Sequence, residues 1–136
     1  MTNLGLIVPQ LISQRCVTCG FTTRSGGVSP APFDSLNVGL HTGDTRQNII
    51  ENRRIIYRFI GVDRRNVAMM KQVHGSSVRV VSSGGGFEKT DGLVTAEPGI
   101  MLGIIVADCI PLLLYDPVTQ VVGAIHCGWR SIVGGI

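Results

Sequence analysis

No run of apolar residues in this chain approaches the ~18 residues that a membrane-spanning helix needs. The apolar stretch near the N-terminus follows no basic segment and is interrupted by Pro9, so we expect no secretory signal there. Four cysteines without an export signal are typical of reduced thiols. The sequence therefore predicts a cytoplasmic protein with no membrane partner.

Charge is also sparse. Charged residues make up 15% of the chain and apolar residues 44%, which excludes a disordered chain and predicts a single domain over residues 1–136. Six of the arginines lie close together, at positions 46, 53, 54, 58, 64 and 65. We interpret this group as the solvated face of an amphipathic helix, and we expect no nucleic acid as a partner.

The sequence lacks a second cysteine pair as well. Cys16 and Cys19 have the C-x-x-C spacing of half a structural zinc site, but no other pair is present to complete it. The segment around Cys19 alternates like a strand. We therefore interpret both residues as ordinary thiols.

One amphipathic helix is predicted over residues 45–60. Asp44 begins the motif D-T-R-Q, which has the spacing of a capping box. Isoleucines follow at near-helical spacing, at positions 49, 56 and 60. Gly61 can end the helix in the left-handed conformation. Before this helix, a strand over residues 15–23 is expected to lead into a long irregular loop rich in glycine and proline.

After the helix the pattern becomes that of strands. The strand-like segments are NVAMMKQVHG, SSVRVVSS, TDGLVT, GIMLGIIVAD, IPLLLYD and VVGAIHCGW. Two of them, GIMLGIIVAD and IPLLLYD, are continuous apolar runs, typical of strands covered on both faces. The glycines at 84–86 and the pair Asp116-Pro117 predict turns. The predicted fold class is α/β, mixed α+β, with mixed sheets flanked by helices.

Two histidines and a cysteine fall at the ends of these strand-like segments: His74, Cys109 and His126. Two imidazoles and a thiolate are ligands that suit zinc when one coordination position stays open. Asp108 interrupts an apolar stretch, and burying its carboxylate without a partner is costly. We predict that Asp108 orients a metal-bound imidazole.

The segment HCGWR contains further candidates. Gly128 permits close backbone approach, and Arg130 offers a planar cation suited to a carboxylate or a phosphate. We interpret Trp129 as an anchor of the core rather than a stacking platform. His41, in the long loop, is a candidate for a fourth ligand or a proton carrier.

Five ordered segments closely resemble the YfiH family: TTRSGGVSPAPFDSLNVGLHTGD, KQVHGSSV, TDGLVT, PGIMLGIIVADCIPLLLYDP and HCGWR. Members of this family are also called laccase-domain proteins or polyphenol oxidoreductases, and are understood as purine nucleoside phosphorylases. The resemblance runs from Phe21 to Arg130. It implies that His74, Cys109 and His126 match the zinc ligands of the family. It also implies a YfiH-like, layered arrangement of the sheets, with the site where strand ends meet the Gly-rich loop.

The activity that this resemblance implies is zinc-dependent phosphorolysis of purine nucleosides (adenosine, inosine and methylthioadenosine), together with adenosine deamination. His74, Cys109 and Asp108 are then the expected catalytic residues. Arg24, with Gly26 and Gly27, suits the phosphate, because a guanidinium and backbone N–H groups converge in a Gly-rich loop. The expected partners are a purine nucleoside and phosphate, and no particular oligomeric state is indicated.

Other functions use the same residues. In a cysteine hydrolase, Cys109 is the nucleophile and His74 or His126 the base, a role that excludes metal ligation by the same thiolate. A copper-dependent polyphenol oxidoreductase of the laccase type needs a mononuclear and a trinuclear copper centre, and thus many more imidazoles than the three histidines of this chain. A purely structural zinc site fits less well with an open coordination position and polar loops.

Two departures from the family pattern lie beside the predicted ligands. Cys127 stands where the family has alanine, and Ser131 stands where it has glycine. Family members also continue well beyond this point. We therefore expect the YfiH-like domain to be incomplete at its C-terminus, with an apolar surface exposed near residues 100–106 and 121–136.

Overall fold

The structure is a computed structural model that describes residues 4–9 and 17–136. The chain divides into two compact units, the first ending at Gly61 and the second beginning at Val62. The prediction of a single domain over the whole chain stays a prediction. Within the described residues, no helix has the length and apolar character that crossing a membrane requires.

The first unit contains two short antiparallel strands and one long helix. The strands are β1 (Leu6–Ile7) and β2 (Phe21–Thr22), and the helix is α1 (Arg46–Ile60). The strand expected over residues 15–23 is thus reduced to β2 in its described part, while Cys16 lies outside the described residues. The long loop between β2 and α1 is irregular, as its glycines and prolines predict.

The predicted helix is confirmed, but its N-cap differs from the expectation. Thr45, not Asp44, is the N-cap, and its side-chain oxygen accepts from the N–H of Asn48 at 3.2 Å. The Asp44 carboxylate is engaged by the loop instead, where it accepts from the hydroxyl of Ser29 at 2.6 Å. Gly61 ends the helix with φ of 78°, the left-handed conformation that its sequence position predicts.

Polar side chains hold the long loop against α1. Asn52, fully buried on the helix, accepts from the N–H of Val28 and donates to the hydroxyl of Ser29 and the carbonyl of Asn37, at 2.7–2.8 Å. Arg53 donates to the carbonyl of Val38 from the next position on the helix. Side chains of the helix thus satisfy backbone groups of the loop, and Leu36 contributes a buried apolar side chain to it.

The second unit contains seven strands in two sheets and one short helix. The strands are β3 (Val67–Lys71), β4 (Val78–Val80), β5 (Gly85–Glu88), β6 (Gly92–Thr95), β7 (Met101–Gly103), β8 (Ile110–Asp116) and β9 (Val121–Cys127). The first sheet is parallel, in the order β5-β3-β7, and the second is mixed, in the order β4-β6-β9-β8. A five-residue helix, α2 (Trp129–Val133), follows β9. Mixed sheets with few helices agree with the predicted fold class.

The core of this unit draws on both sheets. Its buried members are Ala68, Met70, Val81, Leu93 and Ala124. Alternate residues of β3 point into it, and the partly buried apolar residues of β5, β7 and β8 pack around it. The strand ends that carry the candidate ligands are thereby fixed by a common apolar layer.

Two sequence expectations for this unit are wrong. The glycines at 84–86 do not form a turn: Gly85 and Gly86 belong to β5 and pair with Ala68 and Met69 of β3. Glycine is needed just before this strand, because a Cβ atom on Gly84 would lie 2.1 Å from the carbonyl oxygen of Arg65. The glycine run thus permits close backbone packing instead of chain reversal.

The other error concerns the two continuous apolar runs. In β8 exposed residues alternate with half-buried ones, so among the described residues one face of this strand has no cover. In the run GIMLGIIVAD only residues 101–103 form a strand.

Large exposed apolar side chains are concentrated on β8 and α2, at Ile110, Leu112, Leu114, Trp129, Ile132 and Val133, whereas within 100–106 only Val106 is exposed. The exposure of Trp129, at 70%, shows that it is not an anchor of the core.

Candidate metal centre

Three different elements bring His74, Cys109 and His126 together. His74 lies in the turn after β3, Cys109 directly precedes β8, and His126 lies in β9. The antiparallel pairing of β8 with β9 aligns Pro111 with His126, which brings Cys109 beside the end of β9. The ligand atoms of all three side chains lie within 4.8 Å of one another. The fold thus brings together the three residues that the sequence predicts as metal ligands.

The geometry within this cluster is compact. The Cys109 Sγ atom lies 3.9 Å from His74 Nε2, and the two imidazole rings meet edge to face with their centroids 4.8 Å apart. His126 is buried, Cys109 is half-buried and His74 is exposed. Nitrogen and sulfur atoms at such separations can reach one ion at ~2.0–2.3 Å with little movement. The donor set therefore fits a metal ion that is approached from the solvent side, where His74 lies.

A buried carboxylate that the sequence pattern did not highlight lies behind the cluster. Asp91, between β5 and β6, accepts from His126 Nδ1 at 2.9 Å. It also accepts from the backbone N–H groups of residues 73, 74 and 75, at 3.2, 2.9 and 2.9 Å. Its side chain has no exposed surface. Asp91 therefore contacts the elements that carry both imidazoles.

The four donors around Asp91 keep it ionised. Burial raises the pKa of its carboxyl, but the hydrogen bonds from His126 and from residues 73–75 outweigh burial and leave the pKa below its ordinary value of 3.8. An ionised carboxylate only accepts, so Nδ1 of His126 carries the hydrogen and Nε2 has the lone pair that a metal needs.

The predicted orienting role of Asp108 is not what the structure shows. Asp108 is exposed, and its carboxylate lies 3.7 Å from Sγ of the adjacent Cys109. Partial burial and the charge of Asp108 raise the pKa of the Cys109 thiol. The carboxylate that contacts an imidazole is that of Asp91, which directly precedes β6, the strand that pairs with β9.

Gly128 closes one side of the cluster. A Cβ atom there would lie 2.8 Å from Cδ2 of His74 and 3.5 Å from both Sγ of Cys109 and Cε1 of His126. The expectation of a close backbone approach at Gly128 is thus confirmed. Any larger residue at this position has to displace the imidazole of His74.

The segment that carries Cys109 is held by a side chain. Gln72 donates to the carbonyl oxygen of Ile105 at 2.7 Å and accepts from the N–H of the same residue at 3.1 Å. This pair of bonds ties residues 104–109, which have no regular secondary structure, to the end of β3 two residues before His74. It also explains why GIMLGIIVAD stops being a strand, because the amide of Gln72 takes the backbone groups that a neighbouring strand would use.

The predicted phosphate-binding residues Arg24, Gly26 and Gly27 belong to the first unit. Arg24 is exposed and pairs with the carboxylate and the carbonyl of Asp34. The N–H of Gly27 is bonded to the hydroxyl of Ser35 at 3.1 Å. A phosphate would have to compete with these contacts, so the assignment of these residues to phosphate stays a prediction. His41, exposed in the same unit, likewise stays an untested candidate.

The remaining predicted residues lie around α2. Arg130 is exposed, with its guanidinium 5.1 Å from the ring centre of Trp129. Cys127 follows His126 on β9, so its side chain points to the opposite face of the sheet. Ser131 is fully buried, and its hydroxyl has no hydrogen-bond partner among the described residues. Neither departure from the family pattern adds a ligand to the cluster.

Asp91 has the same sequence feature that made Asp108 a candidate, namely a carboxylate next to apolar residues of a strand. It lies in the segment TDGLVT. A buried acid requires donors, and a histidine is one of the few side chains that supply one. What the sequence does not contain is the pairing of β6 with β9, which brings Asp91 next to His126.

The family described as multi-copper polyphenol oxidoreductase laccase matches residues 18–136, and the chain belongs to this family. The purine nucleoside phosphorylase SCO2081 of Streptomyces coelicolor is 42% identical over 120 residues, which cover 86% of this chain and 50% of that protein. The purine nucleoside phosphorylase YlmD of Bacillus subtilis is 39% identical, over 86% of this chain and 46% of that protein.

Solved structures agree with these sequence relatives. YlmD from Geobacillus stearothermophilus has a TM-score of 0.82 and 38% identity, covering 86% of this chain and 47% of that one. The hypothetical protein YfiH of Bacillus licheniformis has the same TM-score with 36% identity, covering 86% and 48%. The resemblance to the YfiH family is thus confirmed. The chain spans about half the length of the relatives that it matches.

Proposed function

We propose that the protein is a zinc-dependent purine nucleoside phosphorylase in its full-length form. The observation that supports this most is the convergence of His74, Cys109 and His126, whose ligand atoms lie within 4.8 Å of one another. The names of the relatives in Streptomyces coelicolor and Bacillus subtilis supply the reaction class. The proposed substrates are inosine, adenosine and methylthioadenosine, each with phosphate.

Zinc is the proposed metal because of the donor set. Two imidazoles and one thiolate leave one of four tetrahedral positions open, the arrangement of catalytic zinc sites. The family description mentions several coppers. A laccase needs a mononuclear and a trinuclear centre, and the three histidines of this chain supply too few imidazoles for both. The alternative is copper bound by the same three residues, and metal analysis distinguishes copper from zinc.

In the proposed phosphorolysis, a phosphate oxygen forms a bond to C1′ of the nucleoside while the bond from C1′ to N9 of the purine breaks. The purine leaves with the electron pair and takes up a proton, and ribose 1-phosphate is the second product. A zinc ion with an open position supplies Lewis acidity toward a substrate oxygen. The contribution of the chain is to hold the ligands: Asp91 fixes the tautomer of His126, and Gly128 keeps the cluster compact.

We further propose adenosine deamination at the same centre. A water oxygen adds to C6 of adenosine and ammonia leaves, which gives inosine, the chemistry of other zinc-dependent deaminases. Both reactions then depend on the same three ligands, and both are lost together when a ligand is removed.

A cysteine hydrolase is the second candidate, because Cys109 Sγ lies 3.9 Å from His74 Nε2. The surroundings of the thiol argue against it. Partial burial and the negative charge of Asp108 raise the pKa of Cys109, so without a cation less thiolate is available as a nucleophile. The same negative charge favours a cation beside the thiol, which agrees better with ligation of a metal.

The proposal is tested on the full-length protein by elemental analysis together with an assay of inosine and phosphate. We expect about one zinc per site and formation of hypoxanthine and ribose 1-phosphate. Replacement Cys109→Ala should remove the metal and lower both phosphorolysis and deamination by more than about 100-fold. A metal-free protein that keeps Cys109-dependent activity would instead support the cysteine hydrolase.

The role of Arg24 is tested by comparing the two reactions, since only phosphorolysis uses phosphate. Arg24→Gln should raise the KM for phosphate by about 10-fold and change deamination little. Because the guanidinium also pairs with Asp34, the variant Asp34→Asn is the matched control for loss of that ion pair. Equal losses of both activities in Arg24→Gln would contradict the assignment of Arg24 to phosphate.

A further inference from the structure

We propose that Asp91 is the positioning residue of the cluster: one buried carboxylate that sets the tautomer of His126 and the backbone conformation of His74. This inference rests on the proposed function only in that it assumes a metal at these ligands. It concerns a residue that does not itself touch the metal or the substrate.

The contacts divide evenly between the two carboxylate oxygens. Oδ1 accepts from His126 Nδ1 and from the N–H of His74, while Oδ2 accepts from the N–H groups of Val73 and Gly75. Two oxygens with about two lone pairs each have room for these four donors. Asp91 therefore has no acceptor capacity left for another partner, and its orientation is fixed.

The backbone of residues 73–75 forms a small concave site for an anion, which is occupied by the carboxylate of Asp91. Three consecutive N–H groups point at one carboxylate, as in the anion-binding turns that hold phosphate elsewhere. His74 has φ of 59° within this turn, a left-handed conformation that is unfavourable for a non-glycine residue. The bonds to Asp91 offset this cost and direct the imidazole of His74 toward Cys109.

A purely structural role for Asp91 predicts the same contacts, so the test must separate folding from positioning. The variant Asp91→Asn is the sharpest probe, since an amide keeps the shape but has only one acceptor end. If its NH2 group takes the place of Oδ1, it donates to Nδ1 of His126 and moves the hydrogen to Nε2, where it blocks a metal. If the NH2 group takes the place of Oδ2, it faces the N–H groups of Val73 and Gly75 and opens the turn.

The matched control is Thr95, which is also buried on β6 at the strand end away from Asp91. Its hydroxyl accepts one hydrogen bond, from the N–H of Glu97 at 3.0 Å. Thr95→Ala removes a buried polar contact from the same strand without touching a ligand. It shows how much metal affinity falls when β6 is weakened for unrelated reasons.

Affinities for Zn²⁺ and Co²⁺ are to be measured by competition with a chelator in the full-length wild type, Asp91→Asn and Thr95→Ala, each beside its free energy of unfolding. We expect a 10- to 100-fold loss of affinity in Asp91→Asn, roughly that of other residues that orient metal-bound histidines. The Co²⁺ complex of this variant should also lose its wild-type absorption spectrum. Thr95→Ala should bind within about 2-fold of wild type, because it changes no contact of the cluster.

Nitrogen NMR of the metal-free wild type tests the same inference without a variant, in case Asp91→Asn does not fold. The expected signature is a His126 imidazole with hydrogen on Nδ1. Hydrogen on Nε2 instead, or equal metal affinity in wild type and a folded Asp91→Asn, would overturn the role of Asp91 while leaving the proposed function intact. Failure of the wild type to bind either metal would contradict the proposed function itself.

Discussion

In each compact unit a fully buried polar side chain organises irregular backbone: Asn52 in the first and Asp91 in the second. Asn52 uses both ends of its amide, accepting from one backbone N–H and donating to a hydroxyl and a carbonyl. Asp91 accepts from four donors and donates to none. The two residues are nearly the same size and differ mainly in charge and in donor capacity.

The difference decides what each residue can organise. An amide satisfies a mixed set of donors and acceptors, so it can hold a loop whose N–H and C=O groups point in several directions. A carboxylate gathers donors only, and an imidazole N–H is one of them. We therefore expect a buried carboxylate beside a histidine to position a functional side chain, and a buried amide beside a loop to stabilise the loop.

The comparison predicts separable effects, and the largest on stability is expected at Asn52. Asn52→Ala leaves the N–H of Val28 and the carbonyl of Asn37 without their partners in the described part of the chain. Each lost hydrogen bond costs ~0.5–1.5 kcal/mol and Asn52 makes three, so the free energy of unfolding should fall by about 3 kcal/mol. Urea unfolding measures this loss.

Zinc affinity of the same variant sharpens the comparison. If Asn52 only organises the loop, chelator competition should give a Kd within about 2-fold of wild type. A loss of zinc affinity as large as that of Asp91→Asn would erase the proposed distinction between the two residues.

A smaller effect on stability, together with weaker metal binding, is expected at Gly128. The added methyl group of Gly128→Ala would lie 2.8 Å from Cδ2 of His74, so the imidazole has to shift. We expect zinc to bind about 10-fold more weakly, with stability lowered by ~1 kcal/mol.

Gly123→Ala on β9 is the matched control. Its added methyl group meets its nearest neighbour, Leu114 Cβ, at 3.5 Å, which is ordinary contact. Equal zinc affinities for the Gly128 and Gly123 variants would show that the close approach at Gly128 has no bearing on the cluster.

The smallest predicted effect is on the pH dependence of stability. The pKa of Asp91 is lower in the folded protein than its ordinary value of 3.8, so its contribution is complete above that value and is lost as pH falls through the lowered pKa. Asp91→Asn should therefore flatten the acid side of the stability profile as pH falls below 3.8. Unfolding in urea at a series of pH values, with metal removed, measures this change. If wild type and Asp91→Asn lose stability equally at acid pH, the hydrogen bonds to Asp91 do not lower its pKa.

The parts of the fold that were predictable are those set by local pattern. Isoleucine spacing and Gly61 define α1 within one residue, and the three candidate ligands stand out because the chain has only three histidines and four cysteines. Their convergence depends on the pairing of β6, β8 and β9, residues distant in sequence. Periodicity contains no information about which strands pair, so Asp91 was missed and Asp108 was chosen in its place.

The errors at residues 84–86 and at Trp129 have a related cause. A glycine run is equally suited to a turn and to close packing of backbones, and only the position of Arg65 distinguishes the two. A large apolar side chain such as tryptophan directly after an apolar strand is expected in the core, yet Trp129 in α2 is exposed. In both cases tertiary contacts, not local preference, decide the outcome.

The most direct test of the account is X-ray absorption at the zinc edge of the purified full-length protein. We expect two nitrogen neighbours of zinc at ~2.0–2.1 Å and one sulfur at ~2.3 Å, with an oxygen or other light atom in the open position. The sulfur should disappear in Cys109→Ser and persist in Cys127→Ser, because Cys127 lies on the opposite face of β9. A first shell without sulfur, or sulfur that is lost with Cys127 and not with Cys109, would contradict the assignment of the metal to His74, Cys109 and His126.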